Sequence, residues 1–176
     1  MSDPIDLVRA RLRDVPDFPK PGILFKDITP VLGDAAAFSA ALDALVAYAA
    51  PRGVTRVLGV EARGFILGAA LAARMNLGFV PARKPGKLPA EVDRVTYALE
   101  YGSDGLELHV GSFAAGERVL VVDDVIATGG TAAAAISLAE RQGAVVAGAA
   151  FLIELAFLGG RARLPPATDV FAVLTF

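Results

Sequence analysis

Asp123 and Asp124 stand side by side, directly before Val125-Ile126-Ala127-Thr128-Gly129-Gly130-Thr131. The two glycines let backbone N–H groups come close to a bound anion, and the hydroxyls of Thr128 and Thr131 add further hydrogen bonds. A loop that only gripped phosphate would gain nothing from two neighbouring carboxylates. Acids in that place suit a ligand with hydroxyls to donate, such as the 2′ and 3′ hydroxyls of a ribose whose 5′-phosphate lies in the turn. The spacing therefore describes a ribose 5-phosphate. Two other phosphate loops are excluded here. No lysine follows the glycines as a Walker loop requires, and Gly129 and Gly130 are adjacent rather than spaced as in a dinucleotide fingerprint.

The flanking residues predict how that turn is held. Val119 to Val122 is an uninterrupted apolar run, the pattern of a central strand buried on both faces. Successive strand residues point to opposite faces, so the paired acids reach in two directions from its carboxyl end. Ala132 to Gln142 is alanine-rich with good helix propensity, and Gly143 caps it. Strand, glycine turn and helix start make a phosphate cradle, because N–H groups converge at the positive end of the helix dipole.

A second unit of the same kind comes earlier in the chain. Arg56 to Val60 reads as a strand, Glu61-Ala62-Arg63-Gly64 as its turn and Phe65 to Met75 as a helix, with Arg63 at the mouth of a second anion site. Taken alone, Arg63 reads equally as a surface partner of Glu61. Leu77 to Ala82 is a further short strand. The basic run Arg83-Lys84-Pro85-Gly86-Lys87-Leu88-Pro89 follows, and by itself it would be a solvated loop. Beside a ribose-phosphate site it supplies positive charge for a diphosphate. Val95 to Tyr101 and Leu106 to Val110 alternate around Gly102-Ser103-Asp104-Gly105, which predicts a hairpin placed to act as a lid. His109, the lone histidine, reads as structural.

The remaining elements are simpler. Asp3-Pro4 opens a short amphipathic helix through Ile5, Val8 and Leu12, with Arg9, Arg11 and Arg13 on its solvated side. Val15 to Pro30 is rich in proline and reads as a long ordered loop, and Asp34 begins a helix reaching Pro51. Ala144 to Ile153 is a buried strand ending in Glu154-Leu155. A short helix near Gly160 to Arg163 and a last strand, Val170 to Thr175, follow it.

Val119 to Thr131 resembles the phosphoribosyl pyrophosphate (PRPP) signature of type I phosphoribosyltransferases. Phe18 to Ile28, Arg83 to Pro89 and Leu99-Glu100-Tyr101-Gly102 resemble the corresponding segments of adenine phosphoribosyltransferases. The resemblance implies an α/β, type I phosphoribosyltransferase fold over a single domain, 1–176. That fold has a mostly parallel central sheet flanked by helices, a β-hairpin lid and a small base-binding hood. It implies transfer of a 5-phosphoribosyl group from PRPP to N9 of adenine, giving AMP and pyrophosphate, with Mg²⁺ held through pyrophosphate and ribose hydroxyls. By position, Asp123, Asp124, Ala127, Thr128, Gly129, Gly130 and Thr131 would bind the ribose phosphate, and Arg63, Lys84, Lys87 and Tyr101 the pyrophosphate. Leu24, Phe25, Lys26 and Leu155 would bind adenine, the first and third through their backbone. Glu100 would be the catalytic acid/base partner. Lys26 stands where relatives can carry arginine. A non-proline cis bond is implied between Glu61 and Ala62, and the family implies a homodimer.

Composition sets the remaining limits. A chain of 176 residues with net charge −2 has no global attraction to nucleic acid or anionic membrane. It has no cysteine for disulfides, thiolate chemistry or a Cys-type zinc site. Mean hydropathy is +0.54, much of it alanine, and the longest charge-free stretch, Val125 to Ala139, is shorter than a bilayer span. The expectation is a soluble cytoplasmic enzyme. Two rivals stay open: a phosphoribosyltransferase for another base, such as xanthine or orotate, and a non-catalytic PRPP-binding regulator. The latter needs a nucleic-acid-binding module or basic face, for which this chain shows neither length nor charge.

Overall fold

The computed structural model describes residues 3–98 and 103–176. Its internal contacts gather into two units, Met1–Ala44 and Leu45–Phe176.

In the first unit, helix α1 (Pro4–Arg11) starts as expected. Asp3 accepts from the Ile5 N–H at 2.9 Å, and proline sits in the first turn. The expected loop from Val15 to Pro30 instead contains an antiparallel ribbon, β1 (Arg13–Pro16) against β2 (Leu24–Asp27). Cross-strand charge explains the difference. Arg13 pairs with Asp27 at 2.5 Å and Lys26 with Asp14 at 2.7 Å, so polar pairs hold strands that carry no hydrophobic alternation. Pro16 ends β1, and Pro19 and Pro21 lie in the connection. Helix α2 (Thr29–Gly33) follows with Pro30 in its first turn, and Asp34 caps α3 (Ala35–Ala49) by accepting from Ala36 and Ala37.

The second unit is built on five parallel strands in the order β4-β3-β7-β8-β9. These are β3 (Arg56–Val60), β4 (Gly78–Ala82), β7 (Arg118–Ile126), β8 (Val145–Glu154) and β9 (Val170–Thr175). Strand β7 lies in the middle, and Val119 to Val122 are fully buried, which is why that stretch reads as continuously apolar. Helix α4 (Arg63–Arg74) packs on β3 and β7, and α5 (Gly130–Arg141) on β7 and β8. Apolar side chains between sheet and helices, including Leu58, Val121, Phe151, Ile136 and Leu138, form the core.

The antiparallel pair β5 (Val92–Ala98) and β6 (Ser103–His109) confirms a hairpin but corrects its turn. Ser103, Asp104 and Gly105 lie inside β6, opposite Ala98, Tyr97 and Thr96. Gly105 is there for close approach: a Cβ on it would lie 3.1 Å from Pro85 Cγ and 3.2 Å from the Val95 carbonyl. The connection is therefore 99–102, outside the described residues, and Glu100 and Tyr101 fall within it.

Candidate active site

The turn after β7 encloses a cavity of about 90 Å³, lined by Asp123 and by Val125 to Ala132. A water needs roughly 10–15 Å³ of such space, so the cavity has room for a phosphoryl group. Gly129 reaches its place with φ +81°, and a side chain there would run into the Gly160 carbonyl. Helix α5 starts at Gly130, and the bond from Ala133 N–H to the Gly129 carbonyl, 2.9 Å, closes its first turn. The N–H groups of Gly130, Thr131 and Ala132 precede that bond and lie along the cavity. Ala127, Thr128, Gly129, Gly130 and Thr131 are thus brought to one anion-sized hollow.

Asp123 and Asp124 both belong to β7 rather than following it, and both are buried. They have different surroundings. Asp123 borders the cavity, and its Oδ1 accepts from the Asp124 N–H at 2.8 Å. Burial, and then the charge of Asp124, push its carboxyl well above the usual carboxylate range. Asp124 pairs with Arg63. That contact corrects the simpler expectation for Arg63, a surface pair with Glu61. The reason is sheet order: β3 and β7 are neighbours, so the turn after β3 stands beside the end of β7. Packing there is tight, since a Cβ on Gly64 would lie 2.8 Å from both Asp123 Oδ1 and the Val122 carbonyl. The peptide bond between Glu61 and Ala62 is cis, as the resemblance implied.

Each described cation expected at the diphosphate end meets a carboxylate. Arg63 has Asp124, Lys84 has Asp104, and Lys87 has Glu61 at 2.8 Å. Glu61 also accepts from the Lys84 N–H at 2.8 Å and lies 3.5 Å from Arg83. Burial alone would raise its pKa, but Lys87, the Lys84 N–H and Arg83 outweigh that and hold it at about 2. The same contest occurs at Asp104 and Lys84. Burial disfavours both charges, yet their pairing lowers the first pKa and raises the second. Buried Glu107 fixes the basic run from the other side, accepting from the Gly86 N–H at 2.9 Å and pairing with Arg94.

Sequence reasoning missed Glu61 as the anchor of the basic run, and it missed Tyr97 and Asp104. Tyr97 Oη lies 3.1 Å from Thr131 Oγ1. Its signal was weak: a tyrosine in an alternating strand reads as a packing residue. Asp104 was hidden by being assigned to the turn.

The segment expected to read the base lies in the first unit. Leu24 is half exposed, Phe25 packs edge-to-face on Phe18 with ring centres 5.1 Å apart, and the Lys26 ammonium is held by Asp14. In the second unit, Leu155 is half-buried just after β8, and its N–H donates to the Ile126 carbonyl at 3.0 Å, beside the cavity-forming turn.

Comparison with known proteins bears on this arrangement. Residues 33–174 match the phosphoribosyl transferase domain family. Adenine phosphoribosyltransferase from Sorangium cellulosum is 59% identical over 173 residues, covering 96% of this chain and 86% of its own. That from Streptomyces coelicolor is 59% identical over 162 residues, 92% and 89% of the two chains. Among solved structures, adenine phosphoribosyltransferase from Rhodothermus marinus superposes with a TM-score of 0.93 at 51% identity, covering 98% of each chain. The Saccharomyces cerevisiae enzyme, solved with an imino-altritol bisphosphate and adenine, gives 0.92 at 40% identity, covering 98% of this chain and 99% of its own.

Proposed function

The chain belongs to the adenine phosphoribosyltransferases within the phosphoribosyl transferase family, and on that premise we infer that it transfers the 5-phosphoribosyl group of PRPP to N9 of adenine. AMP and pyrophosphate are the products, and the reaction is one of purine salvage. The observation that carries this reading is the cavity after β7, with Asp123 at its border and glycine-turn N–H groups along its wall.

The site roles are part of the proposal. The 127–131 turn takes the 5-phosphate, and this remote grip positions C1 for attack by N9. Asp123 and Asp124 accept from the ribose hydroxyls and place negative potential near the sugar as its bond to pyrophosphate breaks and the ring becomes cationic. Arg63, Lys84 and Lys87, with Tyr101, offset the charge growing on the leaving pyrophosphate. Their present carboxylate partners hold them near that end and are exchanged for phosphate oxygens when PRPP binds. Glu100 manages the imidazole proton of adenine as N9 bonds. Glu100 and Tyr101 lie outside the described residues, and their roles rest on the resemblance.

For the base, the Ile23 carbonyl accepts from the Phe18 N–H at 3.3 Å, so it faces the β1 side. Alternation along β2 turns the Leu24 carbonyl and the Lys26 N–H together to the opposite edge, an acceptor–donor pair matching the 6-amino group and N1 of adenine. Phe25 is assigned to pack on the ring, and Leu155 is assigned to adenine by the resemblance alone. The Lys26 side chain is engaged by Asp14, which agrees with reading by backbone.

Mg²⁺ fits as a companion of the substrate. It keeps waters and takes phosphate oxygens with few protein ligands, and among the described residues no group of three or more potential ligands occurs. When bound, it supplies positive charge to the diphosphate. We also propose a homodimer and a cytoplasmic location; no helix of the described residues is long and apolar enough to cross a membrane.

The test is incubation with PRPP, Mg²⁺ and each of adenine, hypoxanthine, guanine, xanthine and orotate, following pyrophosphate release. Adenine should exceed hypoxanthine by about 10³-fold or more, because an oxo group would meet the Leu24 carbonyl lone pair to lone pair. Comparable rates overturn the assignment.

A further inference from the structure

The hydroxyl of Tyr97 stands at a junction between the two anion-binding ends. Thr131 Oγ1 lies 3.1 Å from it, Asp104 Oδ2 3.1 Å and Lys84 Nζ 3.4 Å. Asp104 also pairs with Lys84, closing a small ring of contacts. Tyr97 and Asp104 face each other across β5 and β6, so the hairpin carries phenol and carboxylate as one piece. The ring packs on the start of α5: a Cβ on Gly130 would lie 3.4 Å from Tyr97 Cδ2. Packing therefore places the hydroxyl against the phosphate turn, independently of its hydrogen bonds.

A phenol has one proton to donate and lone pairs to accept. The Lys84 ammonium only donates, so it uses the lone pairs. The phenolic proton goes to Asp104, an ionised carboxylate that can only accept, and the Thr131 hydroxyl donates to the phenol oxygen. One oxygen thus touches a hydroxyl of the 5-phosphate turn and the ammonium assigned to the diphosphate. These two groups come from residues 47 positions apart in sequence (131 − 84), and each is a flexible or rotatable donor that needs a fixed neighbour to aim it.

We propose that Tyr97 is a positioning residue. Its hydroxyl holds Thr131 and Lys84 at one spacing and so sets the site for a pentose that carries phosphate groups at both ends. This rests on the phosphoribosyl-transfer reading above. Hydroxyls and ammonium groups at a fixed distance favour PRPP over ligands that fill one end only.

Tyr97→Phe removes the oxygen and keeps the ring. In steady-state assays, KM for PRPP should rise about tenfold, the scale of losing hydrogen bonds that steer charged contacts. KM for adenine should stay within about twofold, and the thermal midpoint should barely move, because the ring packing is retained. Unchanged KM for PRPP overturns the proposal. A parallel rise in both KM values with a lowered thermal midpoint also overturns it, since that marks a purely structural residue. Calorimetric binding of PRPP and of ribose 5-phosphate to the parent and to Y97F separates this inference from the assigned reaction. Y97F binding PRPP more weakly, with its preference for PRPP over ribose 5-phosphate reduced, supports the role of the hydroxyl even if adenine proves not to be the acceptor, and an unchanged preference sinks it.

Discussion

The two proposed anion-binding ends of the second unit are made in opposite ways. The cavity after β7 is shaped by nearly contiguous residues, with a left-handed glycine and the first turn of a helix among them. The diphosphate end is assembled from separate loops, and each of its described cations, Arg63, Lys84 and Lys87, is already neutralised by a carboxylate. The difference is one of preorganisation. Backbone donors in a rigid turn need no rearrangement to meet phosphate, whereas the cations must change partners. On the proposed reading the first end sets where the sugar sits, and the second responds to what the sugar carries.

That contrast can be broken most severely at Gly129. Gly129→Val puts a side chain at φ +81°, against the Gly160 carbonyl, and destroys the preformed end. We expect kcat/KM for PRPP to fall by about a hundredfold or more, the scale associated with misplacing a reacting centre. Steady-state kinetics with PRPP varied, beside a circular-dichroism check that the chain folds, reads this. A loss below about threefold would mean the turn is not rigid.

Gly64→Ala tests whether the two ends are mechanically joined. Its Cβ would press on Asp123 Oδ1 and the Val122 carbonyl, neither of which can easily retreat in a central strand. Urea denaturation should show about 1–3 kcal/mol of destabilisation. KM for PRPP should rise as well, because Asp123 must shift; a stable variant with native kinetics would separate the ends.

The smallest effect sharpens the ion-pair side. The Glu61 carboxyl titrates at about 2 in the folded chain against an ordinary 4.5, so its ionised form is favoured by folding. Its contribution is fully present above about pH 4.5 and is lost as pH falls toward about 2. Glu61→Gln should therefore cost about 1–2 kcal/mol at pH 7, after allowance for solvent screening. The gap between variant and parent should close through that acid window. A gap independent of pH would show that Glu61 acts by packing and not by charge.

Much of this arrangement was legible in the residues. Val119 to Val122 read as a central strand because it is one, buried on both faces, and Arg56 to Val60 and Val170 to Thr175 fell where expected. The geometry of the turn after β7 was legible because its pattern is local: hydroxyls, glycines and helix start follow one another. Contacts that sheet order creates were hidden. Arg63 is two residues from Glu61 but meets Asp124, brought close by strand pairing. The hairpin turn was misplaced because Gly102 and Gly105 both look like turn glycines. Gly105 in fact makes room for Pro85, a tertiary reason that no local pattern carries. The β1–β2 ribbon was missed for a related cause, its strands being held by ion pairs between residues that look like loop composition.

Strand β3 is hydrogen-bonded to β7, with Val57 opposite Leu120, although β4 and the hairpin intervene along the chain. During synthesis, β3 and β4 therefore emerge with one edge bare, and that edge stays available to wrong partners until the segment from Arg118 onward arrives. Such distant pairing slows maturation, because a long loop must close before the central contacts reward it. Small molecules that settle after β7 can recognise only chains that have passed this point.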